Sequence, residues 1–125
     1  MRQSLAPHLQ IVQGTAEALP NPDRGFDVVI TTDSFHHWSD KSAALAEVSR
    51  MLRCGGLFAL ADVSLDDLPA RSRALWALAP QRMSDMPTHD ERDRLLTAAG
   101  LRVLDVPPTL HRRWIALTVA ERPAT

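Results

Sequence analysis

Apolar and polar positions fall into blocks along this chain, and the period changes from block to block. His8 to Gln13 is a short apolar run that predicts a first strand. Gly14 to Gly25 holds two prolines and the triplet Asn21-Pro22-Asp23, the composition of a loop. Phe26 to Thr31 (FDVVIT) is nearly all β-branched or apolar, which suits a strand buried on both faces of a parallel sheet. From Lys41 to Arg53 the period becomes helical. Ala44, Leu45, Val48, Met51 and Leu52 share one face, Asp40 is placed to cap the start, and Cys54-Gly55-Gly56 ends the helix. Leu57 to Ala61 predicts a second apolar strand.

The second half repeats the alternation. Asp67 to about Met83 predicts a helix with Pro69 in its first turn and Leu75 and Leu78 on its buried side. Thr88 and Glu91 have the spacing of a capping box, and the helix they open ends at Gly100. Leu101 to Val106 is an expected strand, Pro107-Pro108 a break, and Arg112 to Ala120 a final strand. There Ile115, Leu117 and Val119 alternate with Trp114, Ala116 and Thr118. Strand–helix–strand units of this kind argue for an α/β fold with a mainly parallel sheet. The terminal strand pair is joined too closely for a helical crossover and should be antiparallel.

Composition narrows the function classes. A chain of 125 residues is one domain at most, and 45% apolar with 23% charged residues is ordinary for a globular protein. The formal net charge is −1, with acids and bases interleaved and no basic stripe, so a nucleic-acid partner has no footprint here. No apolar run approaches the ~20 residues of a membrane helix. The start lacks the apolar core of a signal peptide, and Cys54 is the single cysteine, so a cytoplasmic setting is expected. A zinc site from His36, His37 and Cys54 lacks any C-x-x-C or H-x-x-x-H spacing, so no metal is expected. The five glycines form no G-x-G-x-x-G or G-x-G-x-G turn after a strand.

Three segments, in order, carry a family resemblance: Val12-Gln13-Gly14-Thr15-Ala16-Glu17-Ala18-Leu19-Pro20, then Phe26 to Trp38 (FDVVITTDSFHHW), then Glu47 to Gly56 (EVSRMLRCGG). Together they resemble the class I S-adenosylmethionine-dependent methyltransferases that modify small molecules, of the methyltransferase type 11 kind. The resemblance implies a truncated Rossmann-like sheet, mainly parallel with an antiparallel C-terminal strand pair, in one partial domain over residues 1–125. It also implies that Thr15, Ala16 and Glu17 lie beside the adenine of S-adenosylmethionine, and that Asp33, Ser34 and Phe35 border its methionine and adenine. His36-His37-Trp38 would face the substrate, with His36 or His37 as the general base, since histidine titrates near neutrality. On a strand, consecutive side chains point to opposite sides, so both histidines are not expected to serve one site. Cys54 stands where the family usually has proline.

The glycine-rich cofactor loop that the family carries is not among these residues. Two classes of function therefore stay open. One is a methyltransferase that is inactive as an isolated chain and is completed by an N-terminal partner chain. The other is a non-catalytic pseudo-methyltransferase that acts as a dimerisation or partner-binding module. In the family the FDVVIT strand is central, so here one edge of it is open, and such an edge pairs. A homodimer is the expected occupant. The rival is Leu9 to Gln13 folding back onto the edge.

Overall fold

A computed structural model describes residues 8–78, 86–106 and 115–124. The elements run β1 (Phe26–Thr32), a 3-10 turn (Phe35–His37), α1 (Lys41–Met51) and β2 (Leu52–Val63), then a second 3-10 turn (Leu65–Asp67) and α2 (Ala70–Ala77). They close with α3 (His89–Ala98), β3 (Arg102–Leu104) and β4 (Ile115–Glu121). The four strands form one sheet in the order β1-β2-β4-β3. β1 and β2 are parallel, joined by the α1 crossover. β4 is antiparallel to both β2 and β3, as the short terminal connection requires. The fold is thus a partial Rossmann-like α/β sheet of mixed direction.

The local causes are those in the sequence. Asp40 caps α1 by accepting from the Ala43 N–H at 3.0 Å. α1 buries Ala44, Leu45, Val48 and Met51, the predicted face. Thr88 and Glu91 form the full capping box of α3, and Gly100 (φ 84°) follows it in the left-handed conformation. α1 and α3 cover the same face of the sheet. Their Leu45, Val48 and Leu96 pack with Phe35, Leu52, Phe58, Leu60, Leu101 and Ala120 in one buried cluster.

The glycine pair departs from a simple helix stop. α1 ends at Met51, and Leu52 already pairs with Phe26. The ladder then jumps, so that Val28 opposes Leu57. The four residues between, Arg53 to Gly56, bulge through Gly55 (φ 79°) and bring Gly56 against the backbone of β1.

Three expectations are corrected. First, residues 8–14 form no strand; Leu9, Ile11 and Val12 are exposed, and the isolated bridge Thr15–Ala18 is the first pairing in this region. Among the described residues, hydrogen bonds that tie this region to α1 begin at Glu17 and Leu19. Among the described residues, β1 pairs with β2 alone, so the fold-back is not formed. Second, β1 is an edge strand rather than a strand buried on both faces: Val28 is 50% and Ile30 69% exposed. Third, Leu75 and Leu78 are exposed on and just after α2, which ends at Ala77; the expected extension to Met83 falls in 79–85, outside the described residues. On β4 the alternation is present: the buried positions are Ala116, Thr118 and Ala120, while Ile115 is exposed. The core side of this strand is its small-residue side. The Pro107-Pro108 break and Trp114 also lie outside the described residues.

The register shows what the other sheet face is made of. Val28, Ile30, Leu57 and Ile115 all lie opposite the α1–α3 side. All four are exposed. Ala59, Ala61, Val63, Leu117 and Val119 on the same side are half-buried, so among the described residues this apolar face is exposed in part.

Candidate active site

At the carboxyl end of β1 the chain makes a sharp corner. Asp33 takes a left-handed conformation (φ 50°), which aspartate tolerates better than most residues. Its N–H still bonds Ala61 O at 2.8 Å, so the corner stays tied to β2. Thr31 and Ser34 share a hydroxyl–hydroxyl bond of 2.6 Å across it. The 3-10 turn that follows drives the Phe35 side chain fully into the core. There it packs edge-on to Trp38, with Lys41 Nζ 5.7 Å from its ring centre.

The turn has a second effect. His36 and His37 are not splayed to opposite sides as on a strand, because the chain has already left the strand. Their rings lie side by side, with centres 4.0 Å apart. They are still not equivalent. His36 is mostly buried, and its Nδ1 sits 2.8 Å from Asp62 Oδ1. His37 is exposed.

Asp62 organises the site. It is fully buried on β2, with its side chain on the helix-covered face. It accepts from the His36 backbone N–H at 2.9 Å and from the Val63 N–H at 2.7 Å. A carboxylate only accepts, so the third contact makes His36 Nδ1 the donor and leaves Nε2 as the free basic nitrogen. This is the orienting arrangement by which a buried aspartate fixes the tautomer of a general-base histidine. Asp62 reads in sequence as the end of a strand. Only the parallel pairing of β1 with β2 reveals that it lies beside His36.

Asp33, His36 and Asp62 each offer a ligand atom, all within 4.8 Å of one another. The Asp62 oxygens are already taken up by three N–H donors, so the cluster reads better as a hydrogen-bonded dyad than as a cation site.

Thr15, Ala16 and Glu17 form a separate tight turn, closed by Ala18 N–H to Thr15 O at 3.2 Å. Glu17 reaches the Asp40 N–H at 3.3 Å, so this turn and the Asp33–His37 turn flank the start of α1 from two sides. The turn is anchored by a charged clamp. Glu47 accepts from Leu19 N–H at 2.8 Å and pairs with Arg50 at 2.9 Å. Arg50 in turn donates to Asn21 O, Leu19 O and Asp23. The Arg50 guanidinium, followed by the Leu19 N–H, holds the Glu47 carboxyl down at about 2. The same pairing with Glu47 and Asp23 raises the proton affinity of Arg50.

The histidine–carboxylate pair lies at the carboxyl ends of the parallel strands, where open α/β sheets bind their ligands. A family model described as "Methyltransferase domain" matches residues 1–60. The fatty-acid O-methyltransferase of Mycolicibacterium smegmatis is 37% identical over 112 residues, covering 86% of this chain and 41% of that protein. The uncharacterized protein YafE of Escherichia coli is 42% identical over 73 residues, covering 58% of this chain and 34% of its own length. Among solved structures, a methyltransferase in complex with the Trm112 methyltransferase activator of Haloferax volcanii superposes with a TM-score of 0.73. That match covers 96% of this chain and 64% of the other at 21% identity, a likeness of fold. The chain carries the sequence and fold of a class I S-adenosylmethionine-dependent methyltransferase. It spans well under half the length of the two curated relatives. None of the described helices is long and apolar enough to cross a membrane.

Proposed function

We propose that these residues form the substrate-side portion of an enzyme that transfers a methyl group from S-adenosylmethionine to a small-molecule nucleophile, with His36 as general base. The observation that carries this reading is the buried Asp62 accepting from Nδ1 of His36. S-adenosylmethionine supplies an electrophilic methyl group. The protein's part is to align the nucleophile and to take its proton at Nε2. An oxygen nucleophile gains most from such a base, in keeping with the O-methyltransferase among the relatives. His37, exposed and without an acidic partner among the described residues, would line the entrance.

The residues assigned to the cofactor fit it in part. In the first turn Thr15 is exposed while Ala16 and Glu17 are half-buried; at the corner Asp33 is exposed and Ser34 half-buried. The Phe35 ring is committed to the core, so its contribution would be through the backbone. These 125 residues contain no glycine-rich G-x-G cofactor loop, and alone they should hold the cofactor weakly. Isothermal titration of the purified chain with S-adenosylmethionine tests this. Low-micromolar, one-to-one binding would refute it.

A second reading is favoured by the open sheet. The exposed apolar face (Val28, Ile30, Leu57, Ile115) and the free edge of β1 together form an association surface. A second copy of the chain is the occupant we favour, because a two-fold contact buries the same patch on both partners. An N-terminal chain or segment carrying the cofactor loop is the other. On this reading the isolated chain is a non-catalytic pseudo-methyltransferase whose role is assembly. Its single free cysteine fits a cytoplasmic setting.

A further inference from the structure

The guanidinium of Arg92 is a buried charge that the mechanism above does not use. Arg92 lies in the first turn of α3, and its side chain is fully buried. Phe58, Leu60 and Asp62 point to the face that α3 covers, and pair across the sheet with Ala120, Thr118 and Ala116. Arg92 Nη1 reaches Thr118 Oγ1 at 3.5 Å, and Nη2 donates to Val63 O at 3.1 Å. Thr118 is the diagonal neighbour of Asp62, and Val63 the next residue along β2. The charge therefore sits over the strand end that holds Asp62.

Such placement is costly. The direct partners are a carbonyl and a hydroxyl, and Nε is buried with no partner. Burial lowers the proton affinity of Arg92; nearby carboxylates oppose this, Asp62 most strongly, then Asp67, Asp93 and Asp66. Of these four, Asp62 alone is fully buried. An apolar side chain at this position would fill the core without that cost.

We propose that Arg92 is a positioning residue for the His36–Asp62 pair: it compensates the buried Asp62 charge and pins the end of β2, so that Asp62 keeps hold of the Nδ1 proton of His36. This rests on the reading of His36 as the base. It goes beyond that reading by placing a control of the dyad on α3, 30 residues after Asp62 in the chain.

Proton NMR of the 125-residue chain tests it. The hydrogen bond should give a low-field, exchange-protected imidazole N–H resonance, identified by its disappearance in His36→Asn. Arg92→Lys, which keeps the charge, should retain the resonance. Arg92→Gln, which keeps donors but not the charge, should lose it while the backbone amide spectrum stays native. An unchanged resonance in folded Arg92→Gln overturns the proposal, and so does its equal loss in folded Arg92→Lys. If Arg92→Gln does not fold, Arg92→Met of similar length takes its place with the same outcomes. The measurement needs neither methyl donor nor substrate. Full methyl transfer by His36→Ala would therefore refute the base and leave this coupling to stand or fall by itself.

Discussion

Gly56 offers a sharp test of the fold because its neighbours cannot yield. A Cβ built there lies 2.9 Å from Arg53 O, 3.1 Å from Asp27 O and 3.1 Å from Leu52 Cδ2. Two of those atoms are backbone, at the point where the β1–β2 ladder jumps register, and Leu52 is in the closed core. Gly56→Ala must therefore push β1 away from β2. Overpacking of this kind costs about 1–3 kcal/mol. At about 4 °C per kcal/mol for a domain near this size, melting should fall by roughly 4–12 °C. Gly55 is the control. It has open space around its Cβ position but φ of 79°, so Gly55→Ala should cost about 1–2 kcal/mol from backbone conformation alone. Asparagine, which tolerates the left-handed region, should recover much of that loss at 55 and none at 56. Urea unfolding followed by far-UV circular dichroism reads both. A Gly56→Ala midpoint equal to wild type would refute the close approach of β1 and β2 at this turn.

Further outcomes follow from the site and its supports. With a complete enzyme, His36→Ala and Asp62→Asn should each lower kcat by roughly 10²–10⁴ with little change in cofactor affinity, and His37→Ala far less; equal losses at 36 and 37 would overturn the assignment. Glu47 has its folded carboxyl held at about 2, below the ordinary 4.5. Its contribution is thus fully present above pH 4.5 and is lost as pH falls toward 2; Glu47→Gln should flatten the acid limb of a stability–pH curve in that window, and an unchanged limb would refute the clamp. Light scattering of the chain at micromolar concentration should give a dimer mass; a monomer with native circular dichroism would rule out a second copy on the open face.

What could be read in advance followed local physics. α1 was legible because Ala44, Leu45, Val48 and Met51 repeat at helical spacing behind a capping aspartate. α3 was legible because Thr88 and Glu91 satisfy each other's backbone groups without help from the rest of the fold. The errors came where apolar residues lack a partner. Leu9 to Gln13 and Leu75 look like buried positions, but burial needs an opposing surface, and none meets them among the described residues. The composition of β1 marks a strand, but composition does not fix burial on both faces, and at the sheet edge β1 lacks it. The site divided in the same way. His36 was visible next to a strand end. Asp62 lies 26 residues further on, and Arg92 reaches Val63 across 29. No pattern in the string links them, because the connection is made by a parallel pairing and by a helix crossing the sheet.

Arg122 has a consequence for how the chain must assemble. Its Nη1 donates to the carbonyls of Ser49, Arg50 and Leu52, closing the end of α1 from 70 to 73 positions away. Its own backbone bonds Gly55 N–H and Gly56 O. The last turn of a helix is thus finished by a residue that the ribosome adds some 70 positions later. Local contacts can start α1 as it leaves the ribosome, but its final turn and the glycine bulge wait for β4. Non-local closure of this sort slows folding. Until residue 122 emerges, the apolar stripe of α1 and the free strand edges stand uncovered, and a nascent chain stalled short of β4 is the form that a holding chaperone would meet.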